Sequence, residues 1–181
     1  VAAAEYGLPI APGTLRNLKK CPIGDRNWTD ESRELFIRLL ASGPALLNVW
    51  EDIDFIDVPG KLIPEWLGVR NRPSASAAHR YTIDRHMVEV VTRLGRETPS
   101  GGRYDDRHYE ALLLAGILHD IGKRPGVANH AAEGARHATV VVERMGFDRD
   151  IVRWVTLLVR EHLTLSEFAT GRNPNDPNVG R

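Results

Sequence analysis

The sequence predicts an all-α protein, and three observations support this. Strict alternation of apolar and polar residues, which is the pattern of a half-buried strand, is nearly absent, and no Asn-Gly hairpin signal occurs. Apolar residues instead recur at the three- and four-residue spacing of amphipathic helices. Residues that start and stop helices flank these segments. We therefore expect a bundle of helices.

The N-terminal part of the chain predicts helices joined by short turns. A helix over residues 30–42 follows Thr29 as its N-cap and stops at Gly43. Pro44 then suits the first turn of a further helix, because its fixed backbone angle fits that position. The Pro/Gly/Ser-rich stretches "DVPGKLIPEW" and "GVRNRPSASAA" are predicted to be connectors. Four helices are expected beyond the second connector, over residues 82–95, 108–121, 131–145 and 150–167.

Composition limits the classes of protein that the chain can represent. Its 181 residues, 42% of them hydrophobic, suffice for one domain with a sizeable core. Lysine plus arginine and aspartate plus glutamate both number 24, so no overall basic field attracts nucleic acid or an anionic membrane. The single Cys21, together with the lack of a long apolar run or a signal peptide, predicts a cytoplasmic protein. Because the chain starts at Val1 rather than Met, we expect a piece of a longer protein.

Histidines occupy four notable positions. His86 lies on the apolar stripe of its predicted helix, and His119 and Asp120 end a helix that is apolar nearly all round. His130 starts the next helix, and His162 lies on the apolar stripe of the last, which includes Ile151, Val155 and Leu158. Burying these groups without partners costs several kcal/mol per charged group, whereas a divalent metal ion satisfies all of them. The residues alone leave two interpretations open, a metal site or structural histidines with a capping aspartate.

Several motifs resemble one family, the HD domain of the bacterial bifunctional PII uridylyltransferase/uridylyl-removing enzyme. They lie in colinear order: "HRYTIDRH" (79–86), "LHDIGK" (118–123), "NHAAEGA" (129–135), "LVREHLTLSEFATGR" (158–172) and "NDP" (175–177). The stretch "GKLIPEWLGVRNRP" resembles the segment that leads into that domain. The resemblance divides the chain into a helical lead-in over residues 1–72 and an HD phosphohydrolase domain over 73–181, with the domain truncated at its C-terminus.

The resemblance implies an enzyme that adds UMP to a tyrosine of the PII nitrogen-signalling protein and removes it with the HD domain. It also implies glutamine sensing by domains outside this chain. The transferase half needs a Gly-Ser turn before an Asp-x-Asp metal pair, whereas "DID" at 52–54 lacks that turn. This chain is therefore expected to carry the removing activity. The motifs are closest in sequence to those of high-GC Gram-positive relatives, which leaves AMP open as an alternative to UMP as the modifying group.

Residue roles follow from the same resemblance. The implied metal ligands are His86, His119, Asp120, His130 and His162, the last two for a second ion. Asp120 is also expected either to bridge to the second ion or to orient the attacking water. Lys123, with Arg124 as a weaker candidate, pairs with a phosphate oxygen, although both could be ordinary helix-end cations. His79 and Asp84 are expected to hold a ligand histidine in its tautomer. The ion can be Mn²⁺, Mg²⁺, Fe²⁺ or Zn²⁺.

The chain departs from the family pattern at four points. One is "GVANH" (126–130), which stands where the family has a compact Gly-Asp before the loop histidine. Glu161 replaces the first of two adjacent histidines, and Asn173 replaces an aspartate in the tail. The family's final aspartate ligand comes from a later helix, whereas this sequence ends at Arg181, and Asp176 is a doubtful substitute. We therefore expect weak metal affinity and little or no activity from this chain alone.

Three other functions are considered. The first is a different HD-type nucleotide phosphohydrolase, although the Gly-Tyr-Pro motif of cyclic-dinucleotide phosphodiesterases is absent from the sequence. The second is a non-catalytic helical regulatory module in which the histidines are structural. The third, nucleic-acid binding, is disfavoured by the neutral charge and the lack of a basic stripe.

Overall fold

A computed structural model describes residues 1–23, 27–74, 80–95 and 105–164, in which helices are joined by turns and loops. The α-helices are α1 (Ala2–Glu5), α2 (Pro12–Lys20), α3 (Asp30–Leu40), α4 (Ala45–Phe55), α5 (Val58–Leu62), α6 (Ile83–Leu94), α7 (Asp106–Leu118), α8 (His130–Arg144) and α9 (Arg149–Arg160). A 3₁₀ helix spans Pro64–Gly68. Within the described ranges the only β-type pairing is an isolated bridge between Pro73 and Thr82. The all-α prediction is confirmed.

Side-chain caps fix where several helices start. Thr29 accepts a hydrogen bond from the main-chain N–H of Ser32, as predicted for the start of α3. Asp105 caps α7, Asn129 caps α8 and Asp148 caps α9 in the same way. Each cap satisfies main-chain donors that the first helical turn leaves without partners. These four starts lie within two residues of the predicted ones.

Helix ends and one connector differ from the predictions. The helix expected over 108–121 ends at Leu118, and the one expected over 150–167 ends at Arg160. In both places short turn hydrogen bonds take over, from Ile121 to Leu118 and from Thr164 to Glu161. The first predicted connector instead forms α5 and the 3₁₀ helix, because Val58, Pro59 and Trp66 are buried there and tertiary packing overrides the turn signals.

Helix α7 lies at the centre of the bundle, as its sequence predicts. Its residues Leu113, Leu114, Ile117 and Leu118 have no solvent exposure. The helix contacts α3, α6, α8 and α9, so it is covered on all sides. On α9 the buried face consists of Ile151, Val155 and Val159, whereas the sequence predicted Leu158, which is 40% exposed.

The lead-in segment and the predicted HD domain share this core. Buried residues of both segments form one contiguous cluster. Across the proposed boundary the N–H of Ile83 donates to the carbonyl of Arg72. The boundary at residue 72 itself stays a prediction. Among the described residues, none of the helices has the length and apolar character required to cross a bilayer.

Candidate metal centre

Asp120 is the centre of a buried cluster of imidazole rings. It lies in the turn after α7, and its side chain is only 4% exposed. Its Oδ1 lies 3.5 Å from Nε2 of His162 and 3.8 Å from Nε2 of His130. Its Oδ2 lies 3.6 Å from Nε2 of His119, and the His119 ring packs edge-on against His86 at 5.1 Å between centroids. The two oxygens of one carboxylate therefore face different histidines.

The structure brings all five predicted ligand residues together from four helices. His86 belongs to α6, and His130 is the first residue of α8. His119 and His162 lie in the turns that follow α7 and α9. They form two groups that share Asp120, in each of which one potential ligand atom per residue lies within 4.8 Å of the others: His86–His119–Asp120 and Asp120–His130–His162.

Hydrogen bonds from the far side of two rings fix which nitrogen faces the cluster. Nδ1 of His119 lies 2.8 Å from the carbonyl oxygen of Gly116, and Nδ1 of His162 lies 2.6 Å from that of Val159. A carbonyl only accepts hydrogen bonds, so Nδ1 carries the proton in both rings. In the neutral rings the lone pair is then on Nε2, which faces Asp120. This is the arrangement of metal-binding histidines.

The cluster fits a metal ion by its distances and by one buried atom. Two ligand atoms bonded to a single ion at about 2.1 Å lie roughly 3 to 3.5 Å apart, which is close to the separations from Asp120 to its histidines. Nε2 of His162 is buried, and in the described part of the chain it has no hydrogen-bond partner. At 3.5 Å from Asp120 it is too far for a good hydrogen bond. A cation between the two atoms satisfies both.

Burial and charge set the protonation of the cluster. Burial lowers the pKa of His119 to about 4, so this ring is neutral at physiological pH. Burial by itself raises the pKa of Asp120, but His162, His119 and Lys123 outweigh it and hold that pKa well below its usual range. Burial opposes protonation of His162 too, yet Asp120 and the Val159 carbonyl raise the pKa of that ring. The cluster thus combines an ionised carboxylate with a neutral imidazole.

Two glycines allow the Asp120 turn to approach α8 closely. A Cβ atom on Gly122 would lie 2.3 Å from the main-chain nitrogen of Gly134 and 2.4 Å from the carbonyl oxygen of His130. No side chain fits in this space, so only glycine lets the turn and the first helical turn of α8 touch. This contact sets the distance between Asp120 and His130.

Lys123 and Arg124, which follow Asp120 in the sequence, have different partners. Nζ of Lys123 lies 3.2 Å from Oδ2 of Asp120, so in this structure the lysine contacts the carboxylate. The predicted contact of Lys123 with a phosphate stays a prediction. Arg124, considered from the sequence as a weaker phosphate ligand, donates instead to the carbonyl of Glu65 at 2.9 Å and packs on Gly68. Arg124 therefore anchors the lead-in segment.

Of the other residues that the sequence singled out, the structure describes Asp84. Asp84 is buried, and its oxygens accept main-chain hydrogen bonds from Asn71 and Arg85, so it ties the lead-in segment to the start of α6. Its assistance to a ligand histidine stays a prediction. Three residues named from the sequence lie outside the described residues: His79, Asn173 and Asp176.

Sequence reasoning missed the groups that orient the ligands. The carbonyls of Gly116 and Val159 each precede their histidine by three residues, at the end of a helix. That spacing was a usable signal, because a side chain just past a helix end reaches the last free carbonyls. The close approach of Gly122 to Gly134 had a weaker signal, the glycines within "LHDIGK" and "NHAAEGA".

Fold and site together define a class, an all-α domain built around a buried histidine–aspartate cluster with metal-ligand chemistry. No family model matches the chain, and no solved structure matches it. Curated relatives do match. Each of three is a bifunctional uridylyltransferase/uridylyl-removing enzyme. The Streptomyces coelicolor enzyme is 38% identical over 179 residues, with 97% of this chain and 20% of the relative covered. The Mycobacterium tuberculosis enzyme is 36% identical over 177 residues, with 97% of this chain and 21% of the relative covered. The Caulobacter vibrioides enzyme is 35% identical over 154 residues, with 78% of this chain and 16% of the relative covered.

The chain is therefore homologous, over nearly its whole length, to a segment of bifunctional uridylyltransferase/uridylyl-removing enzymes, and it is consistent with a domain of that enzyme. It spans about a fifth of the length of the relatives from Streptomyces and Mycobacterium.

Proposed function

We propose that this chain is an HD-type phosphodiesterase domain that removes UMP, or AMP, from a tyrosine of the modified PII signalling protein. The observation that carries the proposal is the position of Asp120, whose buried carboxylate joins two three-residue groups of metal-ligand type. The name of the relatives includes a uridylyl-removing activity. A histidine–aspartate cluster of metal-ligand type is suited to the hydrolysis that such a removing activity requires.

The cluster would hold one or two divalent ions through His86, His119 and Asp120 on one side and Asp120, His130 and His162 on the other. When bound, such an ion lowers the pKa of a water molecule and neutralises charge on the phosphoryl oxygens. The carbonyls of Gly116 and Val159 keep the two Nε2 lone pairs directed at the site.

The proposed reaction is hydrolysis of the bond between phosphorus and the tyrosine oxygen. Water supplies a hydroxyl group to phosphorus and, in total, one proton to the leaving tyrosine oxygen, which restores the unmodified tyrosine side chain of PII and gives a nucleoside monophosphate. Asp120 is suited to accept a hydrogen bond from the attacking water, because its carboxylate stays ionised. Lys123, at 3.2 Å from Asp120, supplies a positive charge beside the reacting phosphate.

The chain has two Asp-x-Asp sequences, "DID" (52–54) and "DRD" (148–150), and neither follows a Gly-Ser turn. Both have structural roles, since Asp148 of "DRD" caps α9. Asp54, the second aspartate of "DID", accepts hydrogen bonds from Nε of Arg70 at 2.9 Å and from the indole of Trp66 at 3.3 Å. This carboxylate thus holds the lead-in segment together. Its use as an internal anchor supports assigning removal, and not transfer, to this chain.

The test uses the full-length enzyme that contains this segment, because the segment alone is expected to have little or no activity. Nucleotidylated PII protein is the substrate, and the assay measures release of UMP and AMP with Mn²⁺ present. We expect release to be lost when His119 and Asp120 are replaced together by alanine. The matched control is His108→Ala, since His108 lies at the exposed start of α7 and stacks on Trp154 away from the cluster. The control should retain release. Undiminished release by the double variant would overturn the proposal and leave the cluster a structural role.

A further inference from the structure

A cavity of about 450 Å³ lies beside the candidate metal centre, between the start of α8 and the end of α9. His130 belongs both to the cavity wall and to the Asp120–His130–His162 group. A molecule in this cavity is therefore next to the side of the cluster that Oδ1 of Asp120 faces. The volume falls in the range of small-molecule sites, which is about 300 to 1,000 Å³.

The cavity wall has an apolar part and a polar part. The apolar part consists of Ala128, Ala131, Ala132 and Leu163. The polar part, apart from His130, consists of Asn129, Arg160, Glu161 and Thr164. The start of α8 also belongs to this wall, and the N-terminus of a 15-residue helix adds partial positive charge. A ligand with one flat apolar portion and one anionic portion matches both parts.

Arg160 is the residue on which anion binding depends. Of the described residues that line the cavity, it alone carries a permanent positive charge. Its side chain is 70% exposed, and its Nε lies 3.9 Å from the nearest oxygen of Glu161, which makes a loose ion pair. The other Glu161 oxygen accepts a hydrogen bond from the hydroxyl of Thr164 at 2.7 Å. The guanidinium of Arg160 thus keeps donors for a phosphate, while Glu161 opposes anions in the same wall.

We propose that this cavity is the subsite for the nucleoside monophosphate half of the substrate, with Arg160 binding its phosphate. The base and ribose lie against the alanines and Leu163, and the phosphate lies between Arg160 and His130. The tyrosine half approaches from outside the cavity. This inference rests on the proposed function, because it takes the nucleotide as the ligand, and it adds a residue that the metal cluster does not include.

The experiment is a calorimetric titration of the full chain, saturated with Mn²⁺, with UMP and AMP, and with uridine and adenosine as phosphate-free probes. The variant is Arg160→Gln. The matched control is Arg153→Gln, an exposed arginine of the same helix outside the cavity wall. Circular dichroism and a separate Mn²⁺ titration check that the fold and the metal affinity of both variants are unchanged.

We expect the protein to bind at least one of the two nucleotides and to prefer it over the matching nucleoside. In Arg160→Gln the nucleotide affinity should fall about tenfold, the value of one charge-assisted hydrogen bond, while nucleoside affinity stays constant. Arg153→Gln should behave as the unmodified protein. A structural role for Arg160 would lower nucleotide and nucleoside affinity together, and that result overturns the proposal.

Two further outcomes separate this inference from the proposed function. Nucleotide binding that depends on Arg160, without hydrolysis of nucleotidylated PII by the full-length enzyme, supports the subsite and contradicts the phosphodiesterase. Hydrolysis that depends on His119 and Asp120, with unchanged nucleotide affinity in Arg160→Gln, supports the phosphodiesterase and overturns the subsite. Absence of binding by both nucleotides to the unmodified protein also overturns the subsite.

Discussion

Nε2 of His162 lies 3.5 Å from Oδ1 of Asp120, and both atoms are held there by contacts on their far sides. The Val159 carbonyl accepts the proton of the other ring nitrogen, and Lys123 contacts the other carboxylate oxygen. Neither ring nor carboxylate needs to turn for a cation to enter between them. The pair is therefore arranged in advance for a ligand that is small, positive and able to accept two lone pairs.

The first prediction concerns the sharing of Asp120 between two ligand groups. Replacing Asp120 by Asn keeps the shape of the side chain but removes its charge, so Mn²⁺ binding should weaken strongly at every site of the cluster. His86→Ala and His130→Ala each remove a ligand from one group only, and each should leave the other group able to bind. Calorimetric titration with Mn²⁺ measures stoichiometry and affinity. Unchanged Mn²⁺ binding by Asp120→Asn would show that the carboxylate is not a ligand.

The second prediction concerns removal of the metal. An ion that binds only the folded chain stabilises it by about 2.7 kcal/mol at a hundredfold excess over Kd. For a chain of this length that corresponds to a rise in melting temperature of roughly 5 to 11 °C. Differential scanning calorimetry with Mn²⁺ and then with excess EDTA should show this difference. The Asp120→Asn variant serves as the control, and it should melt at the same temperature in both conditions.

The third prediction concerns the close contact between the Asp120 turn and α8. Gly122→Ala places a Cβ atom against two main-chain atoms, and no rotamer change relieves the overlap. We expect a loss of about 2 kcal/mol or more in the free energy of unfolding, together with weaker Mn²⁺ binding because His130 must shift. Urea denaturation measures the first effect and calorimetry the second.

The control for this prediction is Gly13→Ala. At Gly13 the nearest atom outside the local backbone is the end of the Arg16 side chain at 3.8 Å, an ordinary contact. Since alanine favours helices, this variant should match or slightly exceed the stability of the unmodified chain. Equal unfolding free energies for the two variants would contradict the role assigned to Gly122.

The candidate ligands were predictable because their chemistry conflicts with their surroundings. An imidazole or a carboxylate on an apolar helix face is unusual. His86 lies on the apolar stripe of its helix, and His119 and Asp120 end an apolar run. The helical class was predictable for a related reason, since the apolar spacing repeats along the chain. Both signals are local in sequence.

The rest of the site depends on contacts between distant parts of the chain. The sequence does not reveal that the two oxygens of Asp120 divide the histidines into two groups, because that depends on how α8 and α9 pack. The early end of α9 likewise follows from the turn that places His162, and the exposure of Leu158 from the rotation of the helix. Local propensity contains none of this information.

The last prediction concerns Glu65, which joins the lead-in segment to α8 across 79 positions of sequence. Its two oxygens accept hydrogen bonds from both terminal nitrogens of Arg144 at 2.8 and 2.7 Å, and its own carbonyl accepts one from Arg124. Burial alone raises the pKa of Glu65, but Arg144 outweighs it, and the pKa lies below its ordinary value of 4.5. A carboxyl whose pKa is lower in the folded state stabilises the fold above its unfolded pKa and loses this contribution on acidification.

Glu65→Gln should therefore lower the free energy of unfolding by about 1 kcal/mol at neutral pH. The difference from the unmodified chain should begin to shrink near pH 4.5, the ordinary pKa of Glu65 in the unfolded chain, and should be lost as the pH falls through the lower pKa of the folded chain. Urea denaturation over a pH series measures both effects. The control Glu143→Gln removes an exposed carboxylate of α8, next to Arg144 in sequence, and should show neither. A loss of stability in Glu65→Gln that stays constant down to acidic pH would mean that packing, and not the ion pair with Arg144, fastens the lead-in segment to α8.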